Sequence, residues 1–85
     1  MTNIQKAFIC SWEDCIHNEL TIISTKFGYK LSEVSLEEFV DKGMEIVNEI
    51  SWNIPENITF MELREYNKKC LDKLENLMAA ISCAC

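Results

Sequence analysis

The clearest helical pattern in the chain lies in its last third, from Thr59 to Ile81. Apolar residues recur there at steps of three and four, which places them on one broad face of a helix roughly 22 residues and about 33 Å long. This face contains Phe60, Leu63, Cys70, Leu71, Leu74, Leu77, Met78 and Ile81, with Asn67 among them. Because a single amphipathic helix cannot bury its own apolar face, the rest of the chain must supply the elements that pack against it.

Two earlier segments have the same periodicity, and each follows a Ser/Thr-x-x-Glu/Gln capping box. Thr2 and Gln5 predict the start of a helix over residues 3–27, which Gly28 ends as a C-terminal cap. Its predicted apolar face contains Phe8, Ile9, Trp12, Ile16, Leu20, Ile23 and Phe27. Ser35 and Glu38 predict a second helix over 36–50, with an apolar face of Leu36, Phe39, Val40, Gly43, Val47 and Ile50.

A third box, formed by Thr59 and Glu62, predicts a helix over residues 59–82. Between helices two and three, Pro55 marks a loop, and we expect its apolar residues Trp52, Ile54 and Ile58 to fold back onto the core. With only two glycines and one proline, the chain is not a turn-rich β protein. The sequence therefore predicts an all-α fold, a small antiparallel three-helix bundle in one domain over residues 1–85, with a frayed tail at about 83–85.

The charge is distributed unevenly along the chain. Residues 1–32 and 59–85 are each balanced, whereas residues 33–56 hold seven acids against Lys42 alone and so carry the whole net charge of −6. At 100° per residue, four of these acids fall within about an 80° arc of helix two, opposite its apolar face. They are Glu38, Asp41, Glu45 and Glu49.

Such a row is not explained by helix stability. Acids four residues apart repel each other by a few tenths of a kcal/mol per pair, so interleaved lysines would stabilise the helix better. One interpretation is an ordinary solvated face that keeps the protein soluble. The other is a docking face for a basic partner protein, with Glu37 and Lys42 at its edge.

From the docking interpretation we predict a non-catalytic acidic binding protein that occludes a basic surface of its partner. Phage-encoded and immunity-type inhibitors work in this way, and carboxylates in a row can mimic nucleic-acid phosphates. The predicted partner class is a nuclease or another nucleic-acid-handling protein. The acidic charge disfavours direct binding of nucleic acid or of an anionic membrane surface. An alternative is an assembly protein that forms homodimers or larger oligomers through apolar helix edges.

The sequence offers little for catalysis or cofactors. It lacks the glycine-rich phosphate loop and the hydrolase and metalloprotease motifs, so we predict no enzyme, no catalytic residues and no cofactor. A thiol metal site is the remaining chemical alternative, because Cys10, Asp14 and His17 share one helical stripe and Cys83 and Cys85 end the chain. Cys15 and Cys70 are predicted to be small core residues.

Localisation follows from the cysteines and the hydropathy. No basic segment followed by an apolar run stands at the N-terminus, and no stretch has the length of a membrane span. Five cysteines, an odd number, are typical of reduced thiols rather than of a disulfide framework. We therefore predict a cytoplasmic protein.

Overall fold

The computed structural model describes residues 1–28 and 31–84, without the side chains of Val34 and residues 81–84. It contains three helices, α1 (Asn3–Lys26), α2 (Glu33–Ser51) and α3 (Phe60–Ala84), and no strand within the described residues. The predicted all-α three-helix bundle is confirmed. Its dimensions are 42 × 20 × 17 Å, so the bundle is elongated along the helix axes.

Contacts between the ends of the helices define their directions. At one end of the bundle, the Nε2 atom of Gln5 near the start of α1 lies 3.1 Å from the carbonyl oxygen of Ile54, just beyond the end of α2. Further along, Lys26 at the end of α1 pairs with Glu75 in the second half of α3, with 3.2 Å between Nζ and Oε1. Helices α1 and α3 therefore run in the same direction, and α2 runs against both.

The first of the three predicted capping boxes is found complete, and the third is found in part. The Gln5 amide donates to the Thr2 hydroxyl at 3.2 Å, and the Thr2 amide donates to the Gln5 side chain at 2.9 Å. At α3, the Glu62 amide donates to Thr59 Oγ1 at 3.2 Å, and the Thr59 hydroxyl donates to the Glu62 carboxylate at 2.9 Å. The two bonds to threonine Oγ1 satisfy the backbone amides of Gln5 and Glu62, which have no partner within the helix.

The predicted start of helix two is wrong. The cap is Ser32, whose Oγ accepts the Ser35 amide at 3.2 Å, and the Leu36 amide donates to the Ser32 carbonyl oxygen at 2.9 Å. Ser35, which has the same side chain and a glutamate three residues later, already lies inside the first turn. Glu33 stands in that turn, where the positive end of the helix dipole favours a carboxylate. Helix α2 is therefore three residues longer at its start than the capping box indicated.

The other helix ends lie within one or two residues of their predicted positions. Helix α1 ends at Lys26, and Gly28 follows with a φ of +68°, the left-handed conformation that glycine adopts readily. Helix α2 continues to Ser51 and α3 to Ala84. The predicted packing of Ile81 and the thiols of Cys83 and Cys85 lie outside the described side chains, and fraying of the last residues stays a prediction.

The core follows the predicted apolar faces. The buried apolar side chains of the described residues are Phe8, Trp12, Ile16, Leu20, Ile23, Phe39, Val47, Ile50, Ile54, Cys70, Leu74 and Met78. Asn67 interrupts the apolar face of α3 and accepts a hydrogen bond from the indole Nε1 of Trp12 at 2.9 Å. This bond joins α1 to α3 and satisfies the polar atom of a buried aromatic residue.

Three aromatic residues that were expected in the core are exposed instead. Phe27 is 41% exposed, Trp52 is 62% exposed and Phe60 is 77% exposed. Each stands at the end of a helix or just beyond it, and the neighbouring helices leave its side chain in contact with solvent. Ile54, in the same loop as Trp52, is buried as predicted.

Candidate protein-docking face on helix α2

The residues predicted to bind a partner all lie on the solvent side of α2. The four acids Glu38, Asp41, Glu45 and Glu49 are exposed and are called the acidic row below. Glu37 and Lys42, at the edge of the row, are exposed as well. The structure therefore leaves the whole predicted face accessible, while its role in docking stays a prediction.

Close packing at Gly43 fixes the orientation of this face. A Cβ atom built on Gly43 would lie 2.7 Å from Cδ1 of Ile16 on α1 and 3.0 Å from Cδ2 of Leu74 on α3. All three helices thus meet where α2 has no side chain. Because Phe39, Gly43 and Val47 face inward at this meeting point, the acidic row half a turn away must point to solvent.

The row is straight and regularly spaced. Asp41, Glu45 and Glu49 are separated by four residues each, or about 6 Å along the helix axis. From Glu38 to Glu49 the row extends about 16 Å. This length matches about three turns of a helix on a partner, or several successive phosphate groups along a nucleic-acid strand.

Within the part of the chain that the structure describes, no cation forms an ion pair with the row. Among residues 1–28 and 31–84, the sole ion pair joins Lys26 to Glu75, and no carboxylate of the row makes a hydrogen bond to another described residue. Lys69 lies on α3 with its Nζ atom 4.9 Å from the centre of the Tyr66 ring rather than beside a carboxylate. Four like charges therefore stand together on one helix, where they add to a negative potential over this side of the bundle.

The exposed face of α3 is different. Acids and cations alternate along it, namely Glu62, Arg64, Glu65, Lys68, Lys69, Asp72 and Lys73. Opposite charges at these spacings attract each other, and the three acids largely cancel the four cations. An open groove of about 390 Å³ separates this helix from the end of α2, lined in part by Asn53, Tyr66 and Lys73.

Sequence reasoning missed one feature of the docking face, the position of Trp52. It is the C-cap of α2, with φ of −63° and ψ of −20°, so the helical conformation continues through it. At 100° per residue its side chain falls within the arc of the acidic row, just beyond Glu49. The sequence already allowed this longer helix. Pro55 disfavours the helical conformation only at the residue before it, so nothing required the helix to end at Ile50.

The three described residues of the metal alternative are not brought together into a metal site. Cys10, Asp14 and His17 are all exposed on α1, and within the described residues no group of three or more potential ligands is close enough to hold a metal ion. The two cysteines predicted for the core do lie there. Cys70 is buried, and burial raises the pKa of its thiol to about 12. Cys15 is half-buried, and burial followed by the charges of Glu19 and Asp14 raises the pKa of its thiol.

None of the helices in the described part of the chain is both long and apolar enough to cross a membrane.

Comparison with known proteins adds no functional information. No protein-family model, curated protein or solved structure matches the chain.

Proposed function

We propose that the protein is a non-catalytic binding protein whose α2 helix docks on a basic surface of another protein. The observation that carries this proposal is the acidic row, which is exposed along its length and has no cation partner among the described residues. A basic partner surface would supply the missing countercharges. Its field would also steer association, so binding should weaken as salt rises.

The chemistry of the row favours one partner class. A surface that normally binds phosphates carries clustered lysine and arginine side chains. Carboxylates at regular spacing along a rigid helix could occupy such a surface and exclude nucleic acid from it. The proposed partner is therefore a nuclease or another nucleic-acid-handling protein, and the proposed effect is inhibition by occlusion, as a cytoplasmic phage-encoded or immunity-type inhibitor would achieve.

The test compares two triple variants with the same net charge. Asp41, Glu45 and Glu49 are changed to Lys in the first, and Glu13, Asp14 and Glu65 in the matched control. Three reversals of two charges each bring the net charge from −6 to 0 in both. All six side chains are exposed, so both variants should keep the parent's helical content by circular dichroism.

The parent and both variants then serve as baits in a lysate of the source organism at low and moderate salt. We expect the parent and the control to recover the same basic protein, with less recovery at higher salt, and the acidic-row variant to lose it. Inhibition of that protein's nucleic-acid binding should follow the same order. Equal recovery by both triple variants would rule out the row as the docking face.

A second candidate function is self-assembly, favoured by large apolar side chains exposed away from the acidic row. Phe60 and Met61 at the start of α3 are 77% and 69% exposed. Multi-angle light scattering separates the two functions. A stable oligomer whose mass does not change with salt, and which dissociates when Phe60 and Met61 are changed to Ser, would favour assembly. A monomer at all salt concentrations would remove it.

A further inference from the structure

The exposed indole of Trp52 lies in line with the acidic row. Its backbone amide donates to the Asn48 carbonyl oxygen at 3.3 Å, as in a continuing helix, and its side chain is 62% exposed. Seen along the axis, Trp52 falls between Asp41 and Glu45, and the surface from Glu38 to Trp52 is about 21 Å long. The face of α2 is therefore acidic over most of its length and aromatic at one end.

The backbone that carries this indole is firmly held. Buried Gln5 donates from Nε2 to the Ile54 carbonyl oxygen at 3.1 Å and to the Trp52 carbonyl oxygen at 3.5 Å. The flanking side chains of Ser51 and Ile54 are 0% and 2% exposed. Since Ser51, just before Trp52, and Ile54, two residues after it, are anchored in the core, the backbone at Trp52 needs little further ordering when a partner binds. This removes part of the usual entropic cost of association.

We propose that Trp52 is the aromatic anchor of the docking face, and that the partner surface combines a row of cations with an apolar recess at one end. This inference rests on the proposed function. It adds the orientation of the partner along α2, with the apolar recess at the end of the helix where Trp52 lies. Exposed tryptophans in such positions are frequent hot spots of protein interfaces. The recess and the cations belong to a folded protein, because the acidic row repels the phosphates that would accompany a stacked base.

Two synthetic peptides of twelve residues test the proposal. Each contains six lysines, and the other six positions are leucine in one peptide and serine in the other. Binding is measured by isothermal titration calorimetry at low salt with the parent, Trp52→Ser and Ile22→Ser. The Ile22 variant is the matched control, because this side chain is 53% exposed on α1, away from the acidic row.

We expect the parent to bind the lysine–leucine peptide about tenfold more tightly than the lysine–serine peptide. Trp52→Ser should lose this preference and Ile22→Ser should keep it. Acrylamide quenching of the parent gives a second measurement, because Trp12 is only 4% exposed and most quenching must come from Trp52. The lysine–leucine peptide should protect Trp52 from the quencher.

The outcomes separate this inference from the proposed function. If Trp52→Ser keeps the preference for leucine, or the parent has none, Trp52 is not an anchor. The proposed function survives that result as long as reversal of Asp41, Glu45 and Glu49 weakens binding of both peptides while the matched triple control does not. If the two triple variants bind alike, or the parent binds neither peptide, both proposals are wrong.

Discussion

The inner and outer faces of α2 are under opposite constraints. On the inner face, Gly43 meets side chains of both other helices so closely that an added methyl group would overlap Ile16. On the outer face, the carboxylates of the acidic row make no hydrogen bond or ion pair with another described side chain. The inner face is determined by packing, whereas the fold makes no use of the outer charges, which repel one another. We propose that these charges serve to bind a partner protein.

Substitution of the two tryptophans should give the largest difference in stability between a buried and an exposed position. Trp12 is 4% exposed and donates to Asn67, so Trp12→Ala removes a large buried side chain and should lower the free energy of unfolding by about 4 kcal/mol. Trp52→Ala should lower it by less than about 1 kcal/mol, because most of its side chain is in water. Urea denaturation followed by circular dichroism measures both. Similar losses for the two variants would mean that Trp52 contributes to the core.

Gly43 tests the constraint on the inner face. Gly43→Val places a Cβ atom 2.7 Å from Ile16 Cδ1 and adds two methyl groups where α1, α2 and α3 meet. We expect a loss of about 3 kcal/mol by overpacking, measured by urea denaturation. Asn48→Val is the control, because its side chain is exposed on the same helix and its loss should stay below about 1 kcal/mol. A Gly43 variant as stable as the control would show that the helices do not pack closely there.

The pH dependence of the free energy of unfolding tests whether the thiol of Cys70 is buried. Burial raises the pKa of this thiol from 9.0 to about 12, so between these values the unfolded chain loses the proton while the native protein keeps it. The unfolded state then binds fewer protons, and the free energy of unfolding falls as pH rises from 9 to 12, by at most about 1.4 kcal/mol per pH unit. Below pH 9 the thiol has no effect on the pH dependence.

Cys70→Ala provides the reference for that measurement. The variant should be less stable than the parent at neutral pH, because it loses buried sulfur, yet its stability should decline less steeply between pH 9 and 12. Parallel curves for parent and variant in this range would mean that the thiol is accessible in the native protein.

A substitution of Glu45 is expected to give the smallest change in the free energy of unfolding, and to raise it rather than lower it. Glu45→Lys replaces repulsion with attraction toward Asp41 and toward Glu49, one turn away on either side. We expect the unfolding free energy to rise by about 0.5 kcal/mol, measured by urea denaturation at low salt. The same variant should bind a basic partner less well. A loss of stability would indicate that Glu45 has a structural contact in the fold.

The sequence predicted the helices well because the apolar spacing alone specifies them. It failed where two residues offered the same local chemistry, as Ser32 and Ser35 do at the start of α2. It also failed for Phe27, Trp52 and Phe60, because a helical wheel gives the direction of a side chain but not whether a neighbouring helix covers it. The acidic row could be placed from spacing and charge. Whether anything binds it depends on a partner, which neither the spacing nor the fold contains.

The most direct test of the docking face is an NMR titration of the ¹⁵N-labelled parent with the lysine–leucine peptide. We predict chemical-shift changes concentrated in the amides of residues 38–52 and reduced by added salt. Amides around Glu13 on α1 and Glu65 on α3, whose side chains are also exposed, should change little. Changes spread equally over all exposed acids, or centred on α1 or α3, would contradict the assignment of the docking face to α2.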